Sequence, residues 1–369
     1  MSKTALILAS HRLNRSPNQR FRFEQYLEYL NGNGIKCELS CLISADDDKF
    51  FYKKGSFLKK FFVILRSRKK RRTNIHNIMA GKYDLVYISR EAFLTGSYAF
   101  ERKIAATGVP IIYDFDDAIW LQNVSSANRW FKWMKNPAKT SEIIQLANLV
   151  FAGNQYLFDY AAQFNKNIRI VPTTIDTDEY IEKPEKTEES KICIGWSGSI
   201  TTIQHFAFAI PFLKKLKDKY GNKIYIKVIG DCTYLNEELE IQGLPWKKDT
   251  EIEDLHEIDI GIMPLPDDEW AKGKCGLKGL QYMALSIPTL MSPVGVNSEI
   301  IEDGKNGFLA NDPDEWVEKI SRLIEDSALR KKMGAAGRKT VIEKYSVHAW
   351  KTKYLEYFNE VIDNAAPEK

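Results

Sequence analysis

The residues best suited to chemistry lie in one stretch, Pro264-Leu265-Pro266-Asp267-Asp268-Glu269-Trp270-Ala271-Lys272-Gly273-Lys274-Cys275-Gly276-Leu277-Lys278-Gly279-Leu280-Gln281-Tyr282-Met283. It follows an apolar run at 258–263 that reads as a buried strand, crosses an acidic loop and enters a helix. The first turn of a helix carries unpaired N–H groups and the positive end of the dipole, so it attracts phosphate. Gly273 and Gly276 let the backbone come close to such an anion. Lys272, Lys274 and Lys278 bring compact cations to its oxygens, Cys275 and Leu277 share the loop, and Gln281, one turn inside, is placed to meet ribose hydroxyls. The competing reading is a plain strand–loop–helix connection with solvated lysines. Glycines, lysines and acids converge where αβ domains bind ligands, which favours the anion site.

Other groups stand at the ends of other apolar runs. Tyr113-Asp114-Phe115-Asp116-Asp117 continues a strand that opens at Pro110. Asp116 and Asp117 there can accept a proton or hold a sugar hydroxyl, unless they only cap a solvated loop. Asp114 and Asp116 are of a type that binds divalent metal. Arg20 and Arg22 enter the first helix, where the dipole repels cations, so a phosphate-binding role is favoured over a merely basic helix start. Arg90-Glu91 ends another strand; Glu91 is an acceptor-side candidate or half of a structural ion pair. The five histidines show no ligand spacing.

Residues 53–72 concentrate Lys53, Lys54, Lys59, Lys60, Arg66, Arg68, Lys69, Lys70, Arg71 and Arg72, interleaved with Phe57, Leu58, Phe61, Phe62, Val63, Ile64 and Leu65. By residue type this segment suits contact with an anionic membrane surface or a solvated face, and no nucleic-acid partner is expected.

These groups need elements to position them. Strands are expected at 5–9, 36–42, 85–88, from 110, at 149–152, 192–196, 224–229, 258–263 and 288–291. Helices are expected at 22–30, 140–147, 206–220, 276–284 and 347–362. Alternation of this kind builds parallel sheets covered on both faces. The apolar-free charged segment at 183–191, with Pro184, reads as a crossing. The expectation is therefore two Rossmann-like αβα domains with a central cleft. The first spans 1–172 and the second, 173–346, binds the ligand; the aromatic-rich helix at 347–369 packs back on the first.

The chain has 369 residues, 44% apolar and 28% charged, with net charge +4. That length implies two domains rather than one core, and no disordered or collagen-like composition is visible. No uncharged apolar run reaches spanning length, and the N-terminal run is too short for a signal peptide. The five cysteines are scattered, as expected of reduced thiols in a cytoplasmic protein.

Several stretches resemble the retaining GT-B glycosyltransferases of family 4, which include bacterial polysaccharide and lipid glycosylating enzymes. Arg169-Ile170-Val171-Pro172-Thr173-Thr174-Ile175-Asp176 looks like the family's interdomain turn. Gln281-Tyr282-Met283-Ala284-Leu285-Ser286-Ile287-Pro288 looks like its helix-and-strand motif. Ser292-Pro293-Val294-Gly295 through Glu299-Ile300-Ile301, and Gly304-Lys305-Asn306-Gly307-Phe308-Leu309, follow its next segment, and Gly334-Ala335-Ala336-Gly337-Arg338 its closing helices. The likeness covers nearly the whole second half; the first half matches in outline. The family's paired glutamates fall on Gly273 and Gln281, so Asp267, Asp268 or Glu269 must supply the sugar-reading carboxylate. Its Gly-Arg…Lys pair falls on Gly198, Ser199 and Gln204, which leaves the phosphate charge to Lys274 and Lys278. The Gly195-Trp196-Ser197-Gly198-Ser199 pattern is similar to that of a divergent branch.

The resemblance implies transfer of a sugar from a nucleoside-diphosphate donor to an acceptor hydroxyl with retention, in polysaccharide, glycolipid or glycoprotein-glycan assembly, with no cofactor or metal. Its donor residues would be Gly198, Ser199, Asp268, Lys274, Cys275, Gly276, Leu277, Lys278 and Gln281. Asp116 and Asp117 would be catalytic, and Arg20, Arg22 and Glu91 would meet a glycan or lipid-linked acceptor. The expected location is cytoplasmic, peripheral on the inner face of the cell membrane. The alternatives are a nucleotide-sugar epimerase of GT-B shape or a non-catalytic sugar-binding homologue.

Overall fold

The computed structural model describes residues 3–52, 55–121, 136, 138–182 and 191–365. Lys53, Lys54 and most of the charged crossing, 183–190, lie outside them. The chain forms two compact units, Met1–Pro172 with Trp350–Lys369, and Thr173–Ala349.

The first unit holds a six-stranded parallel sheet: β1 (Lys3–His11), β2 (Ile35–Ile43), β3 (Leu85–Ser89), β4 (Ile111–Phe115), β5 (Leu149–Ala152) and β6 (Ile168–Ile170), in the order β2-β1-β3-β4-β5-β6. β3, β4 and β5 are buried along their whole length. This explains why they are largely apolar, because helices cover both faces of a parallel sheet. The last helix, Val347–Ala365, contributes Tyr354 and Phe358 to this core. Tyr354 stacks on Tyr26 with ring centroids 4.2 Å apart, and Phe358 on Tyr87 at 5.8 Å.

The single helix expected at 22–30 is instead three short pieces: helix Pro17–Arg20, a 3-10 turn at Glu24–Tyr26, and helix Leu27–Gly32. Phe21, Arg22 and Phe23 are all buried. Successive residues of an α-helix point 100° apart, so three in a row cannot all face inward, and burial overrides the helical pattern.

The basic segment is a helix, Phe57–Met79. Val63, Ser67, Arg71, Asn74 and Ile78 form its buried stripe. Arg71 is the main fastening: its guanidinium donates to the carbonyls of Ala92, Ser40 (3.0 Å) and Ala9 (3.1 Å), and to the Ser40 hydroxyl (2.9 Å). Burial lowers its pKa to about 10. Phe57, Leu58, Phe61, Phe62 and Leu65, in the first turns, remain exposed.

The second unit holds a five-stranded parallel sheet of β7 (Ile192–Ser197), β8 (Ile224–Ile229), β11 (Ile260–Met263), β12 (Thr289–Met291) and β13 (Phe308–Leu309), in the order β13-β12-β11-β7-β8. β9 (Leu235–Asn236) and β10 (Ile241–Gln242) form a small antiparallel hairpin. Its core includes Trp196, Val228, Ile260, Ile262 and Leu290 from the sheet, packed with Phe212 and Trp316. β8 lies on one side of β7 and β11 on the other, so the strand order reverses between β7 and β11. The carboxyl ends of strands at such a switch point are where α/β sheets bind ligands.

Candidate functional site

At that switch point stands the helix Leu277–Ala284, led by Gly276. Gly276 has φ +69°, and a Cβ there would meet Ile300 Cδ1 at 2.3 Å, so only glycine fits. It brings no side chain to cap the helix, leaving the first-turn N–H groups for an anion. Gly273, by contrast, has φ −72° and ends the preceding short helix, Glu269–Lys272. Tyr282 locks the longer helix to β7: its hydroxyl accepts from the Ser197 N–H at 2.7 Å. Gly261 on β11 makes this possible, since a Cβ there would lie 2.4 Å from the Tyr282 ring.

Lys278 lies over the Trp196 ring, 4.3 Å from its centroid. No carboxylate pairs with it among the described residues; burial first, and Lys274 second, lower its pKa to about 7. Trp196 in turn demands Gly198, where a Cβ would meet the indole at 2.2 Å. Ser199 follows, its hydroxyl 3.0 Å from that of Thr201 and 3.2 Å from that of Thr202. Lys274 reaches the Trp270 ring at 4.9 Å. Cys275 is buried and Leu277 half-buried.

The acids of the loop are otherwise engaged. Asp268, expected as a donor-binding carboxylate, accepts from the Ala271 N–H at 2.7 Å and caps the helix Glu269–Lys272. Lys272 pairs with Glu269 at 2.8 Å and Asp267 at 3.8 Å.

Gln281 is buried. Its Nε2 donates to Tyr180 Oη at 2.9 Å and Glu251 Oε1 at 3.1 Å. Glu251 also accepts from Tyr180 Oη at 2.9 Å and Trp246 Nε1 at 2.8 Å. Tyr180, Trp246 and Glu251 were missed by sequence reasoning. Glu251 begins the helix Glu251–His256, and acids are common in first turns, so nothing in the sequence distinguished it.

In the first unit, polar groups gather at the carboxyl ends of β1, β3 and β4. Arg90, with φ +61°, donates from Nε to Asp116 at 2.7 Å and from Nη2 to Asp117. Burial pushes the Asp116 carboxyl upward, against the pull of Arg90. A backbone held at positive φ by a non-glycine residue persists only where its surroundings enforce it; here the Tyr113 hydroxyl donates to the Arg90 carbonyl at 2.9 Å. His11 Nε2 meets the Tyr52 hydroxyl at 3.1 Å. Burial and then Arg15 hold its pKa down at about 4, so the ring is neutral near pH 7. Neither His11 nor Tyr52 was singled out in the sequence.

Two acceptor-side candidates are engaged in ion pairs. Arg22 is buried and paired with Asp114, and its Nη1 donates to the Val171 carbonyl, so its charge serves the interior. Glu91 pairs not with Arg90 but with the buried Lys139, at 2.9 Å; that ammonium also donates to the carbonyls of Phe93 (2.6 Å) and Thr95 (2.8 Å). Arg20 is buried beside the Phe21 ring, at 4.8 Å.

Two Rossmann-like units, each built on a parallel sheet, give the chain the GT-B fold. A glycosyltransferase of Rickettsia africae superposes with a TM-score of 0.69 at 16% identity, covering 98% of this chain and 99% of that one. HepE of Anabaena, in complex with UDP-glucose, superposes at 0.64 with 12% identity, covering 97% and 99%. The glycosyl transferases group 1 family model matches residues 176–340, within the second unit. An uncharacterised glycosyltransferase of Methanocaldococcus jannaschii is 42% identical over 65 residues, 17% of this chain and 18% of that protein. A poly(ribitol-phosphate) alpha-N-acetylglucosaminyltransferase of Staphylococcus aureus is 36% identical over 87 residues, 23% of this chain and 18% of that protein. The chain thus spans less than a fifth of these relatives' length.

Proposed function

We propose that this chain is a retaining glycosyltransferase of family 4, in a divergent branch, that moves a sugar from a nucleoside-diphosphate donor to an acceptor hydroxyl. The observation that carries the reading is Lys278. A cation without a carboxylate partner, packed on an indole beside a second lysine and behind an uncapped helix start, is costly unless an anion completes it. A donor diphosphate does so, drawing on the first-turn N–H groups, Lys274 and Lys278. The same groups stabilise the charge that grows on the departing diphosphate. Gly198 and Ser199 form the adjoining loop, and no metal or cofactor enters this reading. On the acceptor side, Asp116 and Asp117, steadied by Arg90, hold acceptor hydroxyls, and Arg20 is a further acceptor-side candidate. The UDP-glucose complex of HepE supports a nucleotide-sugar donor.

The acceptor is a glycan or lipid-linked sugar, reached from the inner membrane surface. What supports this is the helix Phe57–Met79, whose exposed apolar first turns share one helix with Arg66, Arg68, Lys69, Lys70 and Arg72. On its flank a cavity of about 160 Å³ is lined by Cys41, Leu42, Ser44, Arg66, Ser67 and Lys70. Among the described residues the buried Ser67 hydroxyl has no partner. Such a basic, apolar surface suits anionic lipid headgroups. Among the described residues no helix is long and apolar enough to cross a membrane.

Incubation with radiolabelled UDP- and GDP-sugars tests the assignment. Transfer, or slow hydrolysis of the donor, is the expected outcome. Release of the nucleotide with an epimerised sugar would make the chain an epimerase, and the absence of saturable nucleotide-sugar binding would remove both enzymatic readings.

A further inference from the structure

Gln281 stands where the donor reading needs a group for the ribose, yet a glutamine is ambiguous there. Its amide can turn either its NH₂ or its carbonyl oxygen outward, and the two ends recognise opposite partners. The surrounding network removes that ambiguity. Glu251 is 7% exposed and, as a carboxylate, can only accept hydrogen bonds. It takes one from Trp246 Nε1 at 2.8 Å and one from the Tyr180 hydroxyl at 2.9 Å. Tyr180, having given its single proton to Glu251, presents only lone pairs to the neighbouring amide. Both groups facing Gln281, at 2.9 and 3.1 Å, are therefore acceptors, and only the NH₂ end satisfies them. Proton counting alone fixes this orientation, since both neighbours can only accept. Oε1 must turn the other way, and it makes no hydrogen bond among the described residues.

We propose that Glu251 is a positioning residue: with Tyr180, it locks the Gln281 amide so that the site presents a fixed hydrogen-bond acceptor to the ribose hydroxyls of the donor. The lock lets a neutral side chain recognise hydroxyls as a carboxylate would, and it makes the site selective for ribonucleoside over deoxyribonucleoside diphosphates. A site built around a substrate hydroxyl discriminates against the analogue that lacks it, because the protein group is then left unpaired. This inference rests on the donor-site reading above.

The experiment compares binding of UDP and GDP with that of their 2′-deoxy and 3′-deoxy counterparts, by calorimetry, in the full chain. The wild type is expected to prefer a ribonucleotide on the order of tenfold, about one well-placed hydrogen bond. Glu251→Gln keeps the shape but lets the amide turn over. Ribonucleotide affinity should fall while that of at least one deoxy analogue holds, bringing the two toward parity. Placing Gln281→Glu in the Glu251→Gln background exchanges carboxylate and amide, and should restore the preference. Tyr180→Phe, which leaves the charge intact, should also weaken it, and serves if Glu251→Gln proves unfolded by its melting curve. A merely structural role would lower both affinities together and is overturning. So is a Glu251→Gln protein that keeps the wild-type preference. If the wild type binds ribo- and deoxynucleotides equally, the inference falls and the donor site stands; if it binds neither, both fall.

Discussion

Lys278 has a pKa of about 7 without a ligand, so above neutral pH its ammonium is largely discharged. A bound diphosphate favours the charged form and raises that pKa again. Binding at pH 8 should therefore take up a proton, and affinity should fall as pH climbs through 7 and beyond. Calorimetry in buffers of different ionisation enthalpy measures the uptake, and a heat independent of buffer would refute it. Arg22 teaches the opposite lesson. Its type and place pointed to a phosphate, but its partner, Asp114, is 92 residues away, and nothing local announces such a pairing. Asp114→Ala leaves a buried guanidinium uncompensated and should cost about 3–5 kcal/mol. Urea unfolding reads that loss, and a loss well below 1 kcal/mol would show that the pair matters little. The sequence placed Lys278 and Gln281 on the helix that follows β11, but their partners Trp196, Tyr180 and Glu251 come from elsewhere in the chain, and those of Arg22 and Glu91 likewise depend on segments brought together by folding.

Strands carried the clearest signal. β3, β4 and β5 are largely apolar because they are buried along their whole length, and the expected segments fall on them within a residue or two. The segment 22–30 misled because its aromatics have a helical spacing, while the burial of Phe21, Arg22 and Phe23 in succession forbids one helix. At Gly276 the physics is local again. Gly276→Ala forces a side chain into φ +69° and against Ile300, at a strain of order 1–3 kcal/mol. It should also displace the first turn and weaken UDP or GDP binding at least several-fold, as a titration would show; wild-type affinity would mean that the helix start does not touch the anion. For the helix Phe57–Met79, Phe57→Ser with Phe61→Ser should reduce flotation with vesicles containing phosphatidylglycerol and leave the melting temperature unchanged. Unaltered flotation would exclude the apolar turns from membrane contact.

Each unit has its own sheet and its own core, so the chain should unfold in more than one step. A nucleotide held by the second unit stabilises that unit by RT ln(1 + [L]/Kd), about 2.7 kcal/mol at a hundredfold excess over Kd. Scanning calorimetry with and without UDP or GDP should show one transition shifting upward while the other stays. Two transitions that shift together, or neither shifting, would contradict assignment of the donor to Thr173–Ala349 alone. The same division bears on legibility: the second unit's proposed ligand groups follow the neighbouring strands β7 and β11, whereas the first unit's polar groups are drawn from β1, β3, β4 and the segments beyond them.

The fastening of the helix Phe57–Met79 by Arg71 carries a consequence for how such a protein changes over generations. The buried contacts run from Val63 to Ile78, and Phe57, Leu58, Phe61 and Phe62 precede or flank them with little interior packing to lose. Selection on foldability therefore constrains the stem of the helix and is nearly blind to its tip. Substitutions at the tip can accumulate at small thermodynamic penalty, so one lineage can exchange a greasy tip for a polar one and adopt a new surface to work on while the sheet beneath it stays as it was.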